Sequence, residues 1–139
     1  MCKVLIADDH DVMRTVIRRT LEEARKIDVV GEASNFTDTM QKIADLKPDV
    51  LLLDLHVPEE RGLPPALVKS QLGTVRTVAV SFSNDDDSKA LAESYGAVAL
   101  LDKMKLYNEM VPAILHCGPK ESDIGRLLRK LFKRRAHAA

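Results

Sequence analysis

The sequence predicts an α/β fold with one doubly wound, five-stranded parallel sheet that carries helices on both faces. Short apolar segments alternate regularly with segments whose apolar residues recur at helical spacing, a pattern typical of βαβ units. The apolar segments show no regular polar alternation, as expected for strands that are covered on both sides. A chain of 139 residues can bury enough core for one stable domain without disulfide staples.

Five strands and five helices are predicted in alternation. The strands cover residues 3–7, 29–33, 50–53, 75–80 and 97–101. The first two helices follow from apolar residues at helical spacing, which are Val12, Val16, Ile17, Leu21 and Ala24, and then Phe36, Met40, Ile43, Ala44 and Leu46.

The remaining helices are predicted mainly from start and stop residues. A short helix at 66–72 follows Pro64 and Pro65 and ends at Gly73. A fourth helix starts at the capping and acidic residues 84–87 and ends at Gly96. The fifth helix carries Leu106, Met110, Ile114 and Leu115 and includes Pro112, which predicts a kink or a late start.

Charge is distributed unevenly along a chain whose formal net charge is zero. Residues 1–118 carry 14 Lys and Arg against 19 Asp and Glu, whereas residues 119–139 carry 7 against 2. We therefore expect an acidic domain at 1–118 and a basic tail at 119–139.

Cys2 and Cys117 have no disulfide or metal-ligand spacing and are expected to be buried thiols. The first apolar run is too short for a signal peptide or a membrane span, so a cytoplasmic protein is predicted.

Three acidic residues lie at the carboxyl ends of two of the predicted strands. Asp8 and Asp9 follow the run 4–7, and Asp54 ends the run 50–53 and is followed by Pro58 and Gly62. Open α/β sheets bind ligands outside the carboxyl ends of their strands. Three carboxylates there indicate an oxygen-ligand site for a hard cation such as Mg²⁺, and one of them could accept a phosphoryl group.

Two further strand ends carry polar groups. Ser81 follows the fourth strand and Lys103 follows the fifth. A hydroxyl and an ammonium suit phosphoryl oxygens, so with the acids they make a coherent phosphoryl-acceptor site. Taken singly, each residue has an ordinary interpretation, since Asp8 or Asp9 could cap a helix, Ser81 could be a turn residue and Lys103 a solvated lysine. The order of the four strand ends favours the site.

These residues resemble the receiver domain of two-component response regulators over residues 3–117. The resemblance rests on segments 4–10 and 54–58 with Gly62, on Val80 and Ser81, and on Gly96 and Ala97 before Lys103. It implies the flavodoxin-like strand order 2-1-3-4-5. It also implies a regulatory protein rather than an enzyme, with at most intrinsic self-phosphorylation and autodephosphorylation.

The resemblance assigns roles to the strand-end residues. Asp54 would accept a phosphoryl group from the phosphohistidine of a histidine kinase or a histidine phosphotransfer protein. Asp8, Asp9 and Asp54 would hold Mg²⁺ together with the main-chain carbonyl of His56. Contacts to the phosphoryl group would come from Ser81 and Lys103. The side chain of His56 is expected to face solvent and to modulate the site rather than to bind the metal.

Three positions differ from the family's usual residues. Val57 stands where Met is usual, Phe82 follows Ser81 where a small residue is usual, and Leu100 occupies the switch position that commonly holds Tyr or Phe. Phe82 and Leu100 leave open an alternative, a phosphate-independent protein-binding module of the same fold. A flavodoxin-type cofactor protein is disfavoured, because residues 8–10 are acidic where a flavin phosphate needs an anion cradle.

The basic tail has an apolar stripe of its own, at Ile124, Leu127, Leu128, Leu131 and Phe132. It predicts an extra amphipathic helix over about 120–134, and the 21 residues after Gly118 are too few for a helix-turn-helix output domain. We therefore expect a stand-alone receiver that binds an unknown downstream protein. The stripe is expected to dock on its own domain or on a second copy, with a membrane surface or nucleic acid as the disfavoured alternatives. The chain could also form a homodimer. The expected interface is either this tail or the surface formed by the fourth helix, the fifth strand and the fifth helix.

Overall fold

A parallel five-stranded sheet organises the chain. The computed structural model describes residues 1–119 together with Leu128 and Leu131. The strands are β1 (Cys2–Ala7), β2 (Ile27–Ala33), β3 (Val50–Asp54), β4 (Arg76–Ser81) and β5 (Ala99–Asp102). The helices are α1 (Asp11–Glu22), α2 (Phe36–Leu46), α3 (His56–Glu59), α4 (Pro65–Leu72), α5 (Asp86–Ser94) and α6 (Leu106–Cys117). The strands are paired in the order β2-β1-β3-β4-β5, which confirms the predicted fold class and strand order.

Two apolar layers cover the two faces of this sheet, because successive strand residues point to opposite sides. One layer joins alternate strand residues such as Ile6 and Leu52 to α1 and α6. The other joins residues such as Leu5 and Leu51 to α2, α4 and α5. Residues 50–53 of β3 are at most 1% exposed, and burial of each large side chain contributes about 1.5–3 kcal/mol. The central strand is therefore the firmest support for the polar residues at its end.

The register of the strands brings their carboxyl ends to one edge. Ala7 of β1 pairs with Leu53 of β3, and Asp54 pairs with Val80 of β4. Ser81 in turn pairs with Asp102 of β5. The segments that follow β1, β3, β4 and β5 consequently meet at the same edge of the sheet.

The buried face of α1 agrees with the predicted stripe at Ile17 and Leu21 but not at Val12 and Val16. Val12 and Val16 are 78% and 54% exposed, whereas Met13, Ile17 and Leu21 pack in the core. Each valine precedes one of these residues by one position, which is a rotation of about 100° around a helix. The sequence offered two apolar faces with the same four-residue spacing, and contact with the sheet selects the one formed by Met13, Ile17 and Leu21.

Two further helical features depart from the expectations. α3 follows β3 after one residue, Leu55, and was not predicted. α6 begins at Leu106 and continues through Pro112 to Cys117, so of the two effects predicted for this proline the late start is wrong. A short 3₁₀ turn at Lys103–Lys105 leads into α6.

The two cysteines behave as expected. Cys2 and Cys117 are free and buried. Burial, and then the negative charge of Asp49, raises the pKa of the Cys2 thiol. These are the properties of packing residues rather than of reactive thiols.

Only two positions of the predicted tail helix fall within the described residues. Leu128 and Leu131 are helical and are 51% and 45% exposed. The structure thus shows no burial of the apolar stripe at these two leucines, and the rest of the predicted helix at 120–134 lies outside the described residues. Within the described part of the chain, no helix combines the length and the apolar character needed to cross a bilayer.

Candidate functional site

Two buried carboxylates lie at the edge where the strands end. Asp8 directly follows β1 and Asp54 is the last residue of β3, and they are 2% and 3% exposed. Buried carboxylates are costly unless they are hydrogen-bonded and paired with a cation. The sequence placed both residues here correctly.

Lys103 supplies the cation that both carboxylates share. Its Nζ lies 2.8 Å from Asp54 Oδ2 and 2.9 Å from Asp8 Oδ2, and its side chain is 1% exposed. Burial opposes the charge of the ammonium, but its hydrogen bonds and ion pairs with Asp54 and Asp8 raise the pKa of Lys103 above its ordinary value. The interpretation of Lys103 as a solvated lysine is therefore wrong, and this ammonium joins the ends of β1, β3 and β5.

The two carboxylates are held in the same way by their local turns. The main-chain amide of His10 donates to Asp8 Oδ1 at 2.8 Å, and the amide of His56 donates to Asp54 Oδ1 at 3.0 Å. These are turns in which an Asp side chain accepts from the residue two positions later. Each carboxylate thus uses Oδ1 for its own turn and Oδ2 for Lys103, which fixes its orientation.

Asp9 lies beside this pair in a different environment. Its Oδ1 atom is buried and accepts no hydrogen bond of standard geometry from the described residues, although His10 Nδ1 lies 3.0 Å away. Burial opposes the charge of Asp9, but a hydrogen bond with Glu60 and the charge of His10 hold its pKa below the usual value. The same hydrogen bond, followed by the charge of Asp9, raises the pKa of Glu60. Asp9 is therefore an anion with an unfilled acceptor.

The ligand atoms present here fit a divalent cation. Asp8, Asp9, His10 and Asp54 each offer one ligand atom, and these atoms lie within 4.8 Å of one another. Carboxylate oxygens are the donors that Mg²⁺ prefers, and the Asp9 oxygen that accepts no hydrogen bond of standard geometry within the described part of the chain could accept such a ligand contact. The structure brings the predicted Asp8, Asp9 and Asp54 together and adds the imidazole of His10, which was part of the matching segment but was not predicted as a site residue.

His56 and Glu60 border the same edge. The His56 side chain is 68% exposed, in agreement with a solvent-facing position, and its main-chain carbonyl accepts from the Glu60 amide at 3.0 Å. A carbonyl oxygen has a second lone pair, so this bond leaves one free for a metal. Glu60 was missed in the sequence, where its position between Pro58 and Gly62 gave the only signal.

Ser81 and Phe82 complete the edge at the end of β4. The Ser81 hydroxyl accepts a hydrogen bond from the Ser83 amide at 3.1 Å and, within the described part of the chain, makes none to Asp54. The Phe82 ring centroid lies 4.8 Å from Lys103 Nζ, although 59% of Phe82 is exposed. The other two unusual positions are part of the core, since Val57 is 1% exposed and Leu100 packs against the layer formed with α2, α4 and α5.

Comparisons with known proteins agree with this geometry. Residues 4–115 match the response regulator receiver domain family. The response regulator GacA of Pseudomonas aeruginosa is 36% identical over 116 residues, which cover 82% of this chain and 54% of GacA. A protein-glutamate methylesterase/protein-glutamine glutaminase of Myxococcus xanthus is 38% identical over 103 residues, which cover 73% of this chain and 30% of that protein. The chain thus spans about half or less of the length of these relatives.

Solved structures show the same fold. The signal receiver domain of the putative response regulator NarL from Mycobacterium tuberculosis aligns with a TM-score of 0.73 and 30% identity, over 84% of this chain and 94% of that domain. The response regulator domain of Thermotoga maritima CheB aligns with a TM-score of 0.72 and 23% identity, over 84% of this chain and 96% of that domain. With a buried acidic edge, a shared lysine and a family match over most of its length, the chain belongs to the response regulator receiver domain family.

Proposed function

We propose that this chain is a phosphorylation-controlled signalling switch in a two-component phosphorelay and that Asp54 is its phosphoacceptor. The donor is the phosphohistidine of a histidine kinase or of a histidine phosphotransfer protein. The observation that carries the proposal is the buried contact between Lys103 and Asp54, because it places one oriented carboxylate beside a cation that can later bind a phosphoryl oxygen.

The transfer itself is an exchange of bonds at phosphorus. An Asp54 carboxylate oxygen attacks the phosphorus, the P–N bond to the donor imidazole breaks, and the imidazole nitrogen keeps that electron pair. Hydrogen bonds from the His56 amide and Lys103 hold the carboxylate for the approach of the donor. Lys103 then exchanges Asp54 Oδ2 for a phosphoryl oxygen, and the Ser81 hydroxyl donates to another.

The negative charge of the site is the main obstacle to this reaction. Three carboxylates face one ammonium, and the phosphoryl group adds further negative charge of about −1.5 to −2. Asp8, Asp9, Asp54 and the His56 carbonyl would hold Mg²⁺, which would offset the negative charge of the carboxylates and of the transferred group.

The product acts through binding rather than through catalysis of its own. We propose that phosphorylation changes the surface presented to a downstream protein or to a second copy of the chain, through α5, β5 and α6 or through the basic tail. The methylesterase relative aligns with this chain over only 30% of its own length, and the proposed function does not include its enzymatic activity.

Intact mass spectrometry tests the assignment of Asp54. Incubation with acetyl phosphate and Mg²⁺ should add about 80 Da to the wild type, the mass of one phosphoryl group. Asp54→Asn should abolish the increase, and the matched control Asp28→Asn, which changes an exposed acid of β2, should retain it. An undiminished increase in Asp54→Asn would refute the assignment.

A second candidate function is a phosphate-independent binding module of the same fold. The ring of Phe82 over Lys103 and the aliphatic Leu100 in the sheet favour it, because both depart from residues that usually accompany phosphorylation. A wild-type chain that folds, binds Mg²⁺ and gains no mass from either acetyl phosphate or a phosphorylated histidine kinase would support this module and exclude the switch.

A further inference from the structure

Phe82 is the one large aromatic side chain that touches the acceptor site in the described part of the chain. It follows Ser81 directly, and its ring lies over Lys103 Nζ with a centroid distance of 4.8 Å. At 59% exposure the ring is not held there by burial in the core. Its position therefore needs another cause, and the ammonium beneath it supplies one.

The ring adds a third neighbour to an ammonium that already contacts two carboxylates. Lys103 contacts Asp54 and Asp8 through Nζ and has three N–H donors in all. The face of an aromatic ring attracts a cation within about 6 Å of its centroid. Because the lysine side chain is almost completely shielded from solvent, the ring forms part of its cover.

We propose that Phe82 is a positioning residue that covers the phosphoryl-acceptor site, so that it slows hydrolysis of the aspartyl phosphate and limits access of small phosphodonors relative to a protein donor. This inference rests on the proposed function of Asp54. A protein donor can displace an exposed ring with its own contacts, whereas water and small anions offer no such compensation.

Hydrolysis is the reaction that the cover would slow. A water oxygen attacks the phosphorus, the P–O bond to Asp54 breaks, and the products are the free carboxylate and inorganic phosphate, which keeps or releases the protons of that water. Lys103 contacts the phosphoryl oxygens in this state, so a ring that stays over Nζ also stands beside the phosphorus. Water can then reach the phosphorus only around the edge of the ring or after the ring has moved away from Lys103.

The size of the effect follows from the attraction between ring and ammonium. At a partly exposed site this attraction favours the covering position over the open one by about twofold to fivefold. The open fraction is then about one third to one sixth. Removal of the ring makes the site open at all times, and hydrolysis should accelerate by about threefold to sixfold.

Three variants separate the cover from a general change at the surface. Phe82→Ala removes the ring, Phe82→Tyr keeps an aromatic face, and Val98→Ala truncates an apolar residue of the same 59% exposure just before β5. The decay of phosphorylated protein is followed by intact mass after removal of acetyl phosphate, and thermal unfolding verifies that each variant is folded. Phe82→Ala should lose its phosphoryl group about threefold to sixfold faster than wild type, while Phe82→Tyr and Val98→Ala should match wild type.

A second measurement does not depend on phosphorylation. In the unphosphorylated protein, the ring should shift the NMR signals of the Lys103 methylene protons next to Nζ, and Phe82→Ala should abolish this shift. Absence of the shift in wild type, or equal hydrolysis rates in wild type and Phe82→Ala, would overturn the inference while leaving Asp54 as the acceptor. Faster phosphorylation of Phe82→Ala than of wild type by acetyl phosphate would also support the cover, and failure of every variant to be phosphorylated would refute the proposed function together with the inference.

Discussion

Replacement of Lys103 by methionine tests the electrostatic design of the site. The variant keeps the length and apolar stem of the side chain but removes the ammonium that Asp8 and Asp54 share. Removing one partner of a buried ion pair costs about 3–5 kcal/mol, because the remaining charge stays buried without compensation. Each carboxylate keeps the hydrogen bond from its own turn, so we expect a loss near the lower limit, about 3 kcal/mol.

This loss should be visible in thermal unfolding. For a chain of this size, about 3 kcal/mol corresponds to a fall of about 10 °C in the midpoint. The measurement belongs at pH 7 with a chelator present, followed by circular dichroism. The folded pKa of Lys103 is raised, so its contribution is complete below the unfolded pKa of about 10.4 and is lost only as the pH rises through the folded pKa.

Mg²⁺ provides the internal check. A cation held by Asp8, Asp9 and Asp54 replaces part of the missing positive charge, so Mg²⁺ should raise the midpoint of Lys103→Met more than that of wild type. The control is Lys105→Met, which removes an exposed lysine two residues away and should stay within about 0.5 kcal/mol of wild type. Equal stability of the two variants would show that the buried ion pair does not stabilise the fold and would refute the reasoning.

Two further predictions concern the metal and the behaviour at high pH. Mg²⁺ should raise the thermal midpoint of wild type, because it binds preferentially to the folded state. Asp9→Ala should remove this response, because it deletes the buried oxygen that accepts no other hydrogen bond from the described residues. An equal response in both proteins would show that the cation binds elsewhere. Burial, followed by the charge of Glu59, raises the pKa of Tyr95 from 10.0 to about 12. Its neutral form therefore stabilises the fold fully below pH about 10 and progressively less up to pH about 12, and chemical denaturation across this range should show a smaller alkaline loss for Tyr95→Phe than for wild type.

The sheet was predictable because each strand can be recognised from its own local sequence, without knowledge of the strands that pair with it. Residues 50–53 are four consecutive apolar residues, which is the pattern expected for a short strand that is covered on both faces. The acid that ends this run then follows from the geometry of parallel sheets, in which strand ends share an edge. Asp8, Asp54, Ser81 and Lys103 could be brought to one edge on this basis.

Other properties depend on packing that no local pattern encodes. Lys103 resembles any surface lysine in sequence, and its burial follows from two carboxylates that come from distant segments. The sequence of α1 carries two neighbouring apolar faces that are one residue apart. Only packing against the sheet determines which of them is buried. The contact between Asp9 and Glu60 depended on α3, a single helical turn too short to leave a periodic signal.

The contact of Lys103 with both Asp8 and Asp54 also has a consequence for folding. Lys103 and Asp54 are 49 positions apart in the chain, and contacts of this kind form only after long loops have closed, which makes them late and entropically costly. The ion pair spans β1, β3 and β5 and therefore exists only when the sheet is assembled. Partly folded forms lack an oriented acceptor, so the capacity of the chain to receive a phosphoryl group reports on the cooperative completion of its fold.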